Sequence, residues 1–251
     1  MIDAAALRDA AEAGTDITGQ DLTHIDWADL ALEEARFQDC NFSAATFAGT
    51  RLNDASFTRC RLVGTRFTHA ELRDTHFTDC KFADPATDPT RFAFCELRSA
   101  KFTNCDLALT ILERNGMFDI TFDACNLPGS RFTHADFSAI LGRRNIVTRA
   151  TFANCNLTFA DLAETNLANC TLTGNKFVEA ELRGADFTNA DLRDCDLAMA
   201  SLDGAKLAGA DLRGAELSGL DVRRLATLKG MKITADQQHG LLGALGIDVR
   251  A

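Results

Sequence analysis

The side chains able to do chemistry in this 251-residue chain are nine cysteines, five histidines and 36 acids. Nine thiols would ordinarily suggest zinc or disulfides, but their spacing speaks against both. No Cys-x-x-Cys pair occurs, so the common zinc pattern is missing. Cys40, Cys60, Cys80, Cys95, Cys105, Cys125, Cys155, Cys170 and Cys195 instead all stand at residue numbers divisible by five. Of the 42 such positions from 15 to 220, 32 hold Ala, Cys, Ser or Thr. A thiol in that company is a small apolar filler, and reduced thiols suit a cytoplasmic protein. His24, His69, His76, His134 and His239 fall outside this column, and no Ser/His/Asp or Cys/His grouping or phosphate-binding glycine loop stands out. The expectation is a protein without catalysis, metal or cofactor.

A second column follows two residues later. From Ile17 to Val222 it has 42 positions, of which 35 are Leu or Phe; only Thr87 and Gly142 are not large and apolar. A period of five fits neither the 3.6 of a helix nor the 2.0 of a strand, so it marks a repeat architecture. An even separation puts the two columns on the same side of an extended chain. The other three positions carry mostly polar residues and face water. Each five-residue unit therefore offers one large and one small residue to a shared interior, and must stack on copies of itself to bury them. Turning every five residues, four units close a square coil of twenty. About ten coils at the ~4.8 Å strand spacing give a rod roughly 50 Å long. On that count Cys40, Cys60 and Cys80 stand in one vertical file, and Cys105 and Cys125 in another.

The pattern weakens at residues 84–90, where Pro85 and Pro89 cannot donate to a ladder, and at 138–147, where Gly142 replaces a large residue. Each is either a distorted corner or a projecting loop of the kind that carries recognition. Asp84, Asp88, Arg143 and Arg144 are the candidate loop contacts. A milder irregularity at 113–120 keeps Met117 in the large column and reads as wall. After Val222 the period stops. Thr234 and Gln237 form a capping-box pattern ahead of a helix over 235–244, which Gly246 closes. Leu225, Leu228, Met231, Ile233, Leu241, Leu242, Leu245 and Ile247 are too many apolar groups for a free tail. They are read as a cap that also joins two rods about a two-fold axis. The expected organisation is an N-terminal cap over 1–14, a repeat body over 15–222 and a cap and dimerisation segment over 223–251.

Runs such as Ala180-Glu181-Leu182-Arg183-Gly184 and Ala210-Asp211-Leu212-Arg213-Gly214 resemble the A(D/N)LXX motif of the pentapeptide repeat family. The resemblance spans about residues 15 to 222. It implies an all-β solenoid, the right-handed quadrilateral β-helix, here with a short C-terminal capping and dimerisation helix. The tail from Leu220 to Val249 further resembles the C-terminus of the quinolone-resistance (Qnr-type) members, whose two loops fall where this chain has its breaks. That closer resemblance implies a C-terminally joined homodimer that binds DNA gyrase or topoisomerase IV and protects it from quinolones or antibacterial toxins. Neither break here adds a residue out of phase, so both are expected to project less than in those relatives.

Charge is unevenly spread. The formal net charge of −10 divides into −8 over residues 1–34, +2 over 35–155, −7 over 156–221 and +3 over 222–251. This balance argues against direct nucleic-acid binding through a basic surface. No apolar run is long enough for a membrane span. In the third segment Asp161, Glu181, Asp186, Asp191, Asp196, Asp211, Glu216 and Asp221 each directly precede a large inward residue. They read as a negative ridge with the sign and rod shape of duplex DNA, placed to occupy the DNA-binding saddle of a type II topoisomerase. The other readings are a generic scaffold for another protein partner, and a self-immunity factor against a gyrase-targeting natural product.

Overall fold

A computed structural model describes residues 15–142 and 145–247. The expected N-terminal cap over 1–14, together with Arg143, Arg144 and the last residues from 248, lies outside the described residues. From Asp16 the chain winds as a parallel β-helix with four faces. The first face is a seven-stranded parallel sheet in which Ile17, Phe37, Phe57, Phe77, Phe102, Phe122 and Phe152 lie in register. The third face is a five-stranded sheet with Phe47, Phe67, Phe92, Leu112 and Phe132 in register. Isolated parallel bridges such as Asn41↔Arg61 and Glu71↔Glu96 build the second and fourth faces.

The corners explain the polar half of the repeat. The residue two places after each large inward one repeatedly adopts a left-handed backbone, as at Asp39, Asp54, Asn104 and Asn189. Asn, Asp and Gly tolerate that region and most other side chains do not. Large and small inward columns are buried together in one continuous core. On the first face the rings of Phe37, Phe57, Phe77, Phe102, Phe122 and Phe152 stack at centroid distances of 4.7–4.9 Å. All nine cysteines are buried and unbridged. Burial pushes the thiols of Cys95, Cys170 and Cys195 up to about 12, which keeps them protonated.

The thiol files differ from the twenty-residue count. Cys60, Cys80, Cys105, Cys125 and Cys155 donate from Sγ to the carbonyls of Phe37, Phe57, Phe77, Phe102 and Phe122, which are stacked neighbours on the first face. With Cys40, bonded to Ile17 O, they make an unbroken run of six in one file rather than two separate files, and Cys195, bonded to Leu172 O, rejoins that file after Asn175. The reason is that the breaks are insertions of whole repeat units. Phe67 stacks on Phe92, 25 residues on, at 4.5 Å, and Phe122 on Phe152, 30 residues on, at 4.9 Å. Five and ten extra residues leave the phase intact while the wall closes beneath them.

The end of the body is also displaced. Parallel bridges Lys206↔Thr227 and Asp211↔Lys232 carry the wall beyond Val222, so residues 223–232 complete the final coil instead of beginning a separate cap. The helix follows over Ala235–Ala244. Gln237 Oε1 accepts from the Thr234 N–H at 2.6 Å, while its Nε2 donates to Leu212 O and Ala215 O, both at 2.7 Å. One side chain thus caps the helix and satisfies carbonyls that the last coil leaves without a successor.

Candidate protein-docking surfaces

The two insertions behave differently once outside the wall. Residues 84–90 are strapped down. Asp84 accepts from Arg61 Nη2 at 2.8 Å, and Asp88 lies 3.8 Å from Arg66. The Arg61 guanidinium beside Asp84 holds its carboxyl below the usual range. Thr90 ends the segment inside the core, accepting from Gly64 N–H at 3.0 Å and lying 2.8 Å from Leu62 O. Both candidate acids here are therefore engaged with the rod's own arginines.

The second insertion is a projecting antiparallel hairpin of strands Ser138–Leu141 and Asn145–Thr148, with Ile140 opposite Ile146. Both isoleucines are open to solvent, at 72% and 70%. Arg149 fixes its foot: the backbone N–H donates to Phe137 O at 3.0 Å, and the guanidinium pairs with Asp119 and lies 4.9 Å above the Phe118 ring. Keeping phase therefore does not keep a segment in the wall. Sequence reading singled out Arg143 and Arg144 and passed over the two isoleucines. Their signal was present, since Ile140 is too large for the small column and Ile146 occupies a normally polar position. Residues 113–120 stay in the wall, with Met117 fully buried.

The eight acids do not form a single ridge. Asp191 and Asp211 pair in register on the first face, Asp196 and Glu216 on the second, and Asp161 and Glu181 on the third. Asp186 is on the fourth face beside Lys206, and Asp221 follows at the foot of the third. Successive units occupy successive faces, so acids at five-residue spacing encircle the rod as a girdle. Five of the eight are neutralised locally: Glu181 by Arg183, Asp186 by Lys206, Asp191 by Arg193, Asp211 by Arg213 and Asp221 by Arg223. The arginine forks hold the Asp211 and Asp221 carboxyls down at about 2. Asp161, Asp196 and Glu216 have no ion pair among the described residues.

The apolar tail divides into two sets. Leu225, Met231 and Ile233 pack against the core and Leu241 is buried under the helix, so these four close the rod's own end. Leu228, Leu245 and Ile247 are exposed, and Leu242 is half-buried. A cleft of about 530 Å³ opens between the last coil at 214–221 and the helix residues Gly240, Leu241 and Ala244. Among the described residues no group of three or more His, Cys, Asp or Glu is placed to hold a metal ion, and no helix is long and apolar enough to cross a membrane.

The parallel coil with a left-handed corner in each unit accounts for the five-residue pattern, and the pentapeptide repeat region family matches residues 30–98 and 145–222, more than half of the chain. The chain belongs to the pentapeptide repeat family. Its body is therefore the family's right-handed quadrilateral β-helix. Among solved structures it is similar to full-length QnrB1, described as a plasmid-mediated fluoroquinolone resistance protein. The two share 24% identity and a TM-score of 0.77, over 92% of this chain and 100% of that one. A trypsin-treated variant of the same protein matches at 22% identity and a TM-score of 0.69, over 94% and 97%. At these identities the likeness is one of fold. No curated protein sequence matches.

Proposed function

We propose that this pentapeptide repeat protein is a non-enzymatic binding rod that docks on DNA gyrase or topoisomerase IV and shields the enzyme from quinolones or related inhibitors. The observation that carries the reading is the hairpin. A sealed rod puts its large apolar groups inside, yet this one presents Ile140 and Ile146 side by side on a rigid foot. Exposed apolar pairs on a rigid support mark protein contacts. The acidic girdle over 156–221 supports the same partner, since a rod of this sign can enter a groove built for DNA. The full-length fold likeness to a fluoroquinolone resistance protein agrees with it. Leu228, Leu242, Leu245 and Ile247 are the side chains proposed to meet a second copy.

The test is a gyrase supercoiling assay with the purified protein, with and without a fluoroquinolone. Wild-type protein is expected to restore supercoiling in the presence of the drug, and Ile140→Ser with Ile146→Ser to lose at least about ten-fold of that potency, the effect of removing one hot-spot contact. Inertness of the wild type in both arms would favour a scaffold for a different protein, which needs the rod but neither hairpin nor girdle.

A further inference from the structure

The rod's wall is unzipped at one corner. Between consecutive coils, three backbone bonds recur where the third face turns into the fourth. One coil above the hairpin they are Arg114 N–H to Thr133 O at 2.9 Å, Met117 N–H to Asp136 O at 2.7 Å and Asp136 N–H to Asn115 O at 2.9 Å. One coil below they are Glu164 N–H to Arg183 O at 2.8 Å, Leu167 N–H to Asp186 O at 2.8 Å and Asp186 N–H to Thr165 O at 2.9 Å. The corresponding bonds at the hairpin's own level would join His134 N–H to Ala163 O, Phe137 N–H to Asn166 O and Asn166 N–H to Ala135 O. None forms, although Phe132 N–H still reaches Asp161 O at 2.9 Å just before the gap.

Two further observations mark the same opening. A cavity of about 260 Å³ lies between Thr133–Ala135 and Ala163–Thr165. Thr165 turns its hydroxyl to Leu162 O on its own coil, at 2.7 Å, whereas Thr50, Thr65 and Thr75 each bond a carbonyl of the coil before. The gap runs to Phe137, where the hairpin leaves the wall, and pairing resumes at Ala150.

We propose that this seam is a two-state element. It stands open because the hairpin's paired strands and its Arg149 foot hold the Phe137 edge away from the next coil, and it closes when that hold is released. Both lips carry matched donors and acceptors, so the closed state needs no new side chain, only approach of the edges. The seam thus links what happens at the hairpin to the wall, and makes this corner the place where the two halves of the rod flex. The inference concerns the chain alone and does not depend on the identity of any partner.

Hydrogen exchange on the full chain, resolved by residue, tests it. The amides of His134, Phe137 and Asn166 are expected to exchange at least about ten-fold faster than those of Arg114, Met117 and Asp136, the contrast between open and bonded backbone in one structure. Equal protection in the two sets overturns the open seam. Removing residues 138–147 restores the twenty-residue coil and should bring the three amides to the protection of their neighbours. Because that deletion also risks the fold, Ile140→Gly with Ile146→Gly loosens the hairpin pairing without touching the core, and should slow the same three amides. Fast exchange that persists in this folded variant overturns the hairpin's role in holding the seam.

Discussion

At the scale of single residues, identity follows geometry closely. The small column tolerates Ala, Ser, Thr or Cys because each fits between stacked coils, which is why nine thiols need no chemistry to account for them. The left-handed corner is stricter. Phe159 adopts φ of 59° there with 58% of its surface exposed, so it bears the cost of that region without burying its ring. Phe159→Asn is expected to stabilise the rod by about 1 kcal/mol, the penalty most L-residues carry in this conformation, read as a higher denaturant midpoint with an unchanged slope. The acids next to arginines make a second case. Asp211 and Asp221 titrate at about 2, below the ordinary 3.8, because Arg213 and Arg223 stabilise the charged form. A carboxyl lowered on folding contributes stability above its unfolded value and loses it as pH falls through the folded one. Melting temperature should therefore decline between about pH 4 and pH 2, and Arg213→Ala should flatten that decline.

At the scale of elements, the C-terminal helix was legible and its attachment was not. The Thr234 to Gln237 pattern and Gly246 mark its two ends, and it spans Ala235–Ala244. Nothing in the spacing indicates that Gln237 also reaches back to Leu212 O and Ala215 O. Gln237→Ala leaves Ala215 O without its donor, while Leu212 O keeps the Ala215 N–H, and is expected to cost about 1–3 kcal/mol, with faster exchange confined to the last coils. The insertions teach the complementary lesson. Five-residue and ten-residue excursions leave every later residue in phase, so a periodicity count reads straight through them. Only the pairing of Phe67 with Phe92 and of Phe122 with Phe152 shows that chain has left the wall.

At the scale of the whole molecule, winding redistributes charge. Acids that follow one another along the sequence are carried to successive faces, so the acids of the second half of the rod are spread around it, and arginines and Lys206 neutralise five of the eight locally. The capped end retains Leu228, Leu245 and Ile247 in solvent. If they join two rods, wild-type protein sediments as a dimer and Leu245→Asp with Ile247→Asp sediments as a folded monomer. A wild type that is monomeric at micromolar concentration removes that interface.

The sequence alone determined the coil: which residues point inward, where the chain turns and which side of each unit meets water. These properties repeat locally, and each unit reports them in its own five residues. Only the tertiary structure decided which residues stand above one another. Stacking depends on how much chain separates two coils, and insertions of whole units alter that distance without altering the phase. The single thiol file, the girdle in place of a ridge, the projecting isoleucine pair and the unzipped corner all follow from that one difference.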